Sequence, residues 1–142
     1  MTGNRPSHPP PLPGGIKPVI LAADDDTVTR RVIATKLERE GYTVLSFSNG
    51  EDLLAQARQS KPALIILDLM MPAMDGYSAL RALRADPAQA AVPVLMLSSK
   101  NQEDDIVSCL KAGAADFVVK PFSPQELVAR VRKLIPRAND TQ

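Results

Sequence analysis

The run Val19-Ile20-Leu21-Ala22-Ala23, followed at once by Asp24-Asp25-Asp26, decides the fold of this chain. Five successive apolar residues without alternation are typical of a strand that is buried on both faces of a sheet. After the aspartates, apolar residues return at helical spacing and stop before a glycine (Val28, Val32, Ile33, Leu37, then Gly41). A buried strand, a polar turn and a helix therefore form the first unit.

The same unit recurs four more times along the chain. Apolar runs at 43–47, 64–67, 94–97 and 117–119 predict the other strands. Helices are predicted after each run: one capped by Asn49, two over 76–84 and 102–112, and a last one that begins at Ser123-Pro124-Gln125-Glu126. Five strand–helix units in about 120 residues predict an α/β fold, with a parallel sheet and helices on both faces.

Composition excludes several classes of protein. The 142 residues fit one domain, and 17 Lys and Arg against 16 Asp and Glu give no charge bias toward nucleic acid or membrane. The single Cys109 excludes an intrachain disulfide and fits a reducing cytosol. No apolar run approaches the roughly 20 residues of a membrane span, and no secretory signal begins the chain. We therefore expect a cytoplasmic protein that binds neither nucleic acid nor membrane directly.

Both ends of the chain differ from its middle. Residues 1–16 are rich in Pro and Gly, so they are predicted to be a disordered tail, as are residues 137–142, which could also be a truncated linker. The folded domain is predicted over 17–136. The run 10–13 is either a polyproline ligand for a partner or only part of a leader. His8 lies in this tail and is given no catalytic role.

Polar residues follow four of the five predicted strands. Asp24-Asp25-Asp26, Asp68, Ser98 and Lys120 stand at the ends of strands one, three, four and five. In open α/β sheets ligands bind beyond these carboxyl ends, so the side chains should converge. Clustered carboxylates need a cation, and oxygen ligands suit Mg²⁺ or Mn²⁺. A cation and a lysine would neutralise a phosphoryl group, which makes Asp68 the candidate nucleophile and Ser98 a hydrogen-bond donor.

Four blocks of residues, in this order and spacing, carry a family resemblance. They are Asp24-Asp25, Asp68 with Met71-Pro72-x-Met74-Asp75-Gly76, Ser98, and Lys120-Pro121-Phe122. With them the chain resembles the receiver domain of bacterial response regulators over residues 18–135. The resemblance implies a flavodoxin-like, doubly wound five-stranded parallel sheet of order 2-1-3-4-5. It also implies phosphorylation at Asp68.

The resemblance further assigns metal ligands. It implies that Asp25 and Asp68 bind Mg²⁺ directly, that Asp24 binds it through water, and that Met70 offers its backbone carbonyl. Lys120 would pair with the phosphoryl group, and its bond to Pro121 should be the family's cis peptide.

Other positions are implied to sense or tune the phosphorylated state. Ser98 stands where the family more often has Thr, and it forms a switch with the aromatic Phe117. Met70 and Lys100 flank the path of the water that hydrolyses the acyl phosphate. Met70 would shield that path and Lys100 would hold the phosphoryl oxygens, so slow self-dephosphorylation is expected.

The implied partners are a sensor histidine kinase or a phosphotransfer protein. The chain is either a stand-alone regulator that acts by docking or the receiver of a longer protein with an output domain beyond Gln142. The segment 120–130 resembles receivers that precede winged-helix domains, although similar receivers precede other output types. The winged-helix alternative implies a homodimer through the fourth helix, fifth strand and fifth helix. Charged residues for that dimer are present (Asp105, Lys111, Asp116, Glu126 and Arg130). However, Ala115 stands where that subfamily usually has a second aspartate.

Rival interpretations rest on the same residues. Asp24-Asp25-Asp26-Thr27-Val28 also fits the start of haloacid-dehalogenase-type phosphatases, in which the first aspartate is the nucleophile, but this leaves the block around Asp68 unexplained. A flavin-binding domain is disfavoured, because its phosphate loop would carry three negative charges here. An unphosphorylated scaffold is the third alternative. Asp75 is interpreted as a helix cap only, and Cys109 as a packing residue.

Overall fold

The computed structural model describes residues 16–135. Within that range, five strands alternate with five helices. The strands are β1 (Val19–Ala23), β2 (Thr43–Phe47), β3 (Leu64–Asp68), β4 (Val94–Ser98) and β5 (Asp116–Val119). The helices are α1 (Thr27–Arg39), α2 (Gly50–Gln59), α3 (Gly76–Ala85), α4 (Glu103–Lys111) and α5 (Pro124–Leu134). The predicted tails lie outside the described residues, except for Ile16, and so does His8.

The strands form one parallel sheet in the order β2-β1-β3-β4-β5. This confirms the predicted order and the doubly wound architecture. From β1 the chain steps to one side of the sheet, and from β3 it steps to the other, so the direction of winding reverses between these two neighbours. The crevice outside their carboxyl ends is where such sheets bind ligands.

Helices cover both faces of the sheet. One apolar cluster joins α2, α3 and α4 to the sheet and includes Ile65 and Leu67. The other joins α1 and α5 to the opposite face and includes Leu64 and Ile66. Successive side chains of β3 thus enter different clusters, which is why this strand has no polar alternation. Each of these buried side chains contributes about 1.5–3 kcal/mol relative to an exposed one.

Side-chain caps begin three of the helices at the predicted positions. Asn49, Asp75 and Ser123 each accept a hydrogen bond from the backbone N–H three residues further on, at 2.8, 2.7 and 3.0 Å. Pro124 follows Ser123 as the first residue of α5. After α1, Gly41 adopts a φ of 98°, which a side chain would strain, so it ends the helix as predicted.

The largest departure from the predicted elements is at α4. The pattern predicts a helix over 102–112, but α4 begins at Glu103 and ends at Lys111. Gln102 turns its side chain back to accept a hydrogen bond from the backbone N–H of Ser99 at 2.6 Å, so it stays outside the helix. Strands β3 and β4 each extend one residue further than predicted, to Asp68 and Ser98.

Hydropathy of the helices bears on membrane insertion. None of the helices in residues 16–135 is both long enough and apolar enough to cross a bilayer.

Candidate functional site

The strand register brings the predicted polar residues to one edge of the sheet. Ala23, the last residue of β1, pairs with Leu67 of β3, and Asp68 pairs with Leu97 of β4. Ser98 then pairs with Val119, so Lys120 follows directly beside it. Asp24, Asp68, Ser98 and Lys120 therefore converge although they are far apart in the sequence.

Lys120 lies between two of the carboxylates. Its Nζ is 2.7 Å from Oδ2 of Asp24 and 3.2 Å from Oδ2 of Asp68. The backbone N–H of Lys120 donates to the Ser98 carbonyl at 2.6 Å, and the Lys120-Pro121 peptide is cis, as the resemblance implied. One ammonium group thus serves two carboxyl groups whose side chains are almost fully buried.

The pKa of Asp68 reflects its burial and the neighbouring negative charge. Burial, together with the negative charge of Asp24, raises the pKa of Asp68 to about 6, although Lys120 and the backbone N–H of Met70 oppose the rise. Burial by itself lowers the pKa of Lys120, but the hydrogen bond to Asp24 and the charges of both aspartates raise it overall. The lysine is therefore charged, and the carboxylates still lack compensation.

The carboxylates form a group suited to a hard cation. Asp24, Asp25 and Asp68 can each offer one oxygen, and these atoms lie within 4.8 Å of one another. Asp24 and Asp68 are buried, whereas Asp25 faces solvent. Oxygen ligands suit Mg²⁺, Mn²⁺ or Ca²⁺ rather than zinc. The donor set and its unbalanced negative charge therefore fit a divalent metal ion.

Ser98 and Phe117, the predicted switch pair, line the same groove, although Phe117 pairs with Met96 and so lies two residues before the edge. The Ser98 hydroxyl is buried and has no hydrogen-bond partner within the described part of the chain. Such a group is costly to leave unsatisfied, so the site offers a ready donor for an anionic ligand. Phe117 is half-buried, and both residues line a groove of about 530 Å³ between α4 and β5.

The two predicted tuning residues flank the edge more loosely. Met70 exposes 63% of its surface, and Lys100 is exposed at the rim of the same groove. Asp75 caps α3 and takes no part in the carboxylate cluster, as the sequence indicated. Cys109 is fully buried, and burial raises the pKa of its thiol to about 11, which agrees with a packing role.

Two residues near the site were not anticipated from the sequence. Arg30 of α1 donates from Nη1 to the carbonyl oxygen of Asp24 at 2.7 Å, and Gln102 holds the N–H of Ser99. Nothing in a single sequence distinguishes Arg30 from its neighbour Arg31. Gln102 was predicted to begin a helix, and no sequence pattern indicates that its side chain turns back toward the loop.

Comparison with known proteins agrees with this geometry. The family model described as the response regulator receiver domain matches residues 20–132. A probable transcriptional regulator ycf27 from Pyropia yezoensis is 43% identical over 123 residues, which are 87% of this chain and 49% of that protein. The transcriptional regulatory protein ResD of Bacillus subtilis is 41% identical over 122 residues, with coverage of 86% and 50%. The chain thus spans about half the length of these curated relatives.

Solved structures show the same fold. A putative response regulator from Chloroflexus aurantiacus superposes with a TM-score of 0.80 at 33% identity, over 84% of this chain and 98% of that one. The chemotaxis response regulator CheY4 of Vibrio cholerae gives a TM-score of 0.80 at 28% identity, over 84% and 100%. The sheet order, the polar edge and these matches lead to one assignment: the chain belongs to the response regulator receiver domains, the signalling domains of two-component systems.

Proposed function

We propose that this receiver domain accepts a phosphoryl group on Asp68 from the phosphohistidine of a histidine kinase or a phosphotransfer protein. The observation that carries the proposal is the position of Asp68. It ends the central strand β3, and its carboxylate lies 3.2 Å from the Lys120 ammonium in the cluster formed with Asp24 and Asp25. Such a donor would also place the domain in the cytoplasm.

The chemistry follows from these groups. A carboxylate oxygen of Asp68 attacks phosphorus, the P–N bond to the donor imidazole breaks, and the imidazole leaves with the bonding electrons. Lys120 neutralises charge on the phosphoryl oxygens, and the Ser98 hydroxyl donates a hydrogen bond to one of them. Since Ser98 has no other partner among the described residues, this bond competes with none.

A Mg²⁺ ion, or Mn²⁺, would be held by Asp24, Asp25 and Asp68 with the backbone carbonyl of Met70, and it would supply further positive charge to the transferred group. Of these groups, the three carboxylates are already within reach of a common centre. The Asp25 side chain, which faces solvent, gives the ion a route into the site.

The response to phosphorylation is assigned to α4, β5 and α5. The groove beside Ser98 and Phe117 reaches Val107 and Leu110 of α4, which are 49% and 41% exposed. An apolar surface next to the sensing hydroxyl can change its fit to a partner, an output domain or a second copy. Two of the charged residues expected to pair across a dimer already form an ion pair within the chain, since Arg130 lies 3.0 Å from Asp116. Pairing through them would require these contacts to be exchanged.

The test is phosphorylation by a small donor. Incubation with acetyl phosphate and Mg²⁺ should add one phosphoryl group, measured by intact-protein mass spectrometry and by lability in hydroxylamine. Asp68→Asn should abolish the addition, whereas the control Asp75→Asn, at an exposed helix cap, should retain it. Label that persists in Asp68→Asn but is lost in Asp24→Asn would refute the proposal in favour of the phosphatase-type nucleophile.

A further inference from the structure

Arg30 contacts the backbone of the acidic loop rather than its carboxylates. From the first turns of α1, its Nη1 donates to the carbonyl oxygen of Asp24 at 2.7 Å. Its Nη2 donates to the hydroxyl of Thr27 at 3.2 Å, which fixes the direction of the guanidinium. The side chain is half-buried, so solvent competes with these bonds less than at an open surface.

The loop residue with the fewest contacts is Asp25. Asp24 is held by its N–H to the Phe47 carbonyl at 3.1 Å, and by its carboxylate to the N–H of Asp26 at 2.9 Å. Asp25 is exposed and makes no side-chain hydrogen bond or ion pair with any residue in 16–135. Its carboxylate nevertheless lies within 4.8 Å of the other two.

The backbone therefore sets where the Asp25 carboxylate points. The carbonyl of Asp24 and the N–H of Asp25 belong to one planar peptide group, so holding that carbonyl fixes the orientation of the whole plane. The direction of the Asp25 side chain follows from it. We propose that Arg30 is a positioning residue for Asp25, which acts by holding the Asp24–Asp25 peptide and thereby keeps the cation site assembled; this rests on the proposed Mg²⁺ site.

The proposal predicts that removal of Arg30 weakens Mg²⁺ binding, whereas the loss of its charge alone would strengthen it. A guanidinium near three carboxylates repels a cation, so its removal should strengthen Mg²⁺ binding if Arg30 acted only as a charge. If Arg30 instead holds the loop, its removal frees the Asp25 carboxylate and weakens binding. These two effects oppose each other, and the expected outcome is the weaker binding.

The experiment compares Arg30→Met with Arg31→Met. Arg31 is the next residue of α1, carries the same charge, and makes no contact with the acidic loop in the described structure. Mg²⁺ affinity is measured by calorimetric titration, and Asp25 backbone order by ¹⁵N relaxation in metal-free protein. Arg30→Met should bind Mg²⁺ about tenfold more weakly, the effect expected for loss of a hydrogen bond from a charged donor. Arg31→Met should bind like wild type or slightly more tightly.

Arg30→Lys supplies a second variant that retains the charge. An ammonium keeps the charge but lacks the rigid planar fork with which the guanidinium bonds the Asp24 carbonyl and Thr27 in one fixed orientation, so the Mg²⁺ affinity of this variant should fall between wild type and Arg30→Met. Unchanged or tighter binding by Arg30→Met, or equal losses in Arg30→Met and Arg31→Met, would overturn the proposal. If wild type binds no Mg²⁺, the proposed function loses its metal site. The order of Asp25 in metal-free protein still tests the role of Arg30 in that case, and an unchanged value refutes it.

Discussion

Gly76 joins the start of α3 to the strand that carries the proposed phosphoacceptor. Its N–H donates to the Leu69 carbonyl at 2.9 Å. A Cβ added at Gly76 would overlap the carbonyl oxygen of Asp68, and it would lie 2.9 Å from the carbonyl carbon and 3.0 Å from Cα of Leu69. All three are backbone atoms, which cannot rotate away. Gly76→Ala must therefore move α3 and the end of β3 apart.

The size of the effect follows from these distances. Carbon atoms pack best at about 3.5–4.0 Å, so the two backbones must separate by roughly half an ångström or more. Overpacking of this kind costs about 1–3 kcal/mol, and weakening the bond to Leu69 adds about 0.5–1.5 kcal/mol. The free energy of unfolding should thus fall by about 2–4 kcal/mol, which lowers the urea midpoint by about 1–2 M.

Gly50→Ala is the matched control. Gly50 also begins a helix after an Asn or Asp cap, but a Cβ there would meet its nearest atoms at 3.4 Å, which is ordinary contact. Urea unfolding of both variants should show a loss for Gly76→Ala and little change, or a small gain, for Gly50→Ala. Because Asp68 would be displaced, phosphorylation by acetyl phosphate should also slow at least about tenfold in folded Gly76→Ala. If Gly76→Ala unfolds at the wild-type midpoint, the close approach is wrong.

Two further predictions concern the site itself. In metal-free protein Asp68→Asn should raise the free energy of unfolding at neutral pH, by at most about 3 kcal/mol, the equivalent of a pKa of about 6 against the ordinary 3.8. Since that pKa is raised, the carboxyl group stabilises the fold below pH 4 and loses this contribution as the pH rises through 6; equal urea midpoints of wild type and variant at both pH extremes would contradict the reasoning. Met70→Asn should hasten loss of the phosphoryl group in Mg²⁺ buffer, because an amide can orient the attacking water where the thioether cannot. Decay no faster than that of wild type would show that the 63%-exposed Met70 shields nothing.

Much of the fold was predictable because the apolar residues of its strands and of its helices follow different patterns. The five residues of β1 and the core of β3 are apolar without alternation, and runs this short, followed by polar turns, fit strands covered on both sides better than helices. The caps at Asn49, Asp75 and Ser123 were also predictable, since their bonds reach only three residues along the chain. Convergence of Asp24, Asp68 and Lys120 followed from the geometry of parallel sheets.

Side-chain contacts that depend on how a loop folds back or on the angle between two elements were not predictable. Gln102 bonds to Ser99 only because the loop after β4 turns back. That turn contains no glycine or proline from which it could have been predicted. Arg30 reaches the Asp24 carbonyl because α1 begins at Thr27, directly after the loop. This contact depends on the angle between the helix and the strand. Periodicity carries no information on such angles, so residues of this kind emerge only from the three-dimensional structure.

The two sides of the site differ in the bonding of their side chains. On the acceptor side, the backbone after Asp68 is bonded twice, since Leu69 donates to the Leu97 carbonyl at 2.9 Å and accepts from Gly76 at the same distance. On the sensing side the backbone is bonded as well, since Ser98 accepts from the N–H of Lys120 at 2.6 Å and Ser99 accepts from the N–H of Gln102 at 3.2 Å. The Ser98 hydroxyl, however, has no partner among the described residues, and the N–H of Ser99 is bonded to the side chain of Gln102, next to an open groove. A new group on Asp68 would therefore find its unpartnered hydrogen-bond donor on the second side. Because Gln102 directly precedes α4, a movement of that loop changes the start of the helix, and this makes α4 the element expected to report phosphorylation.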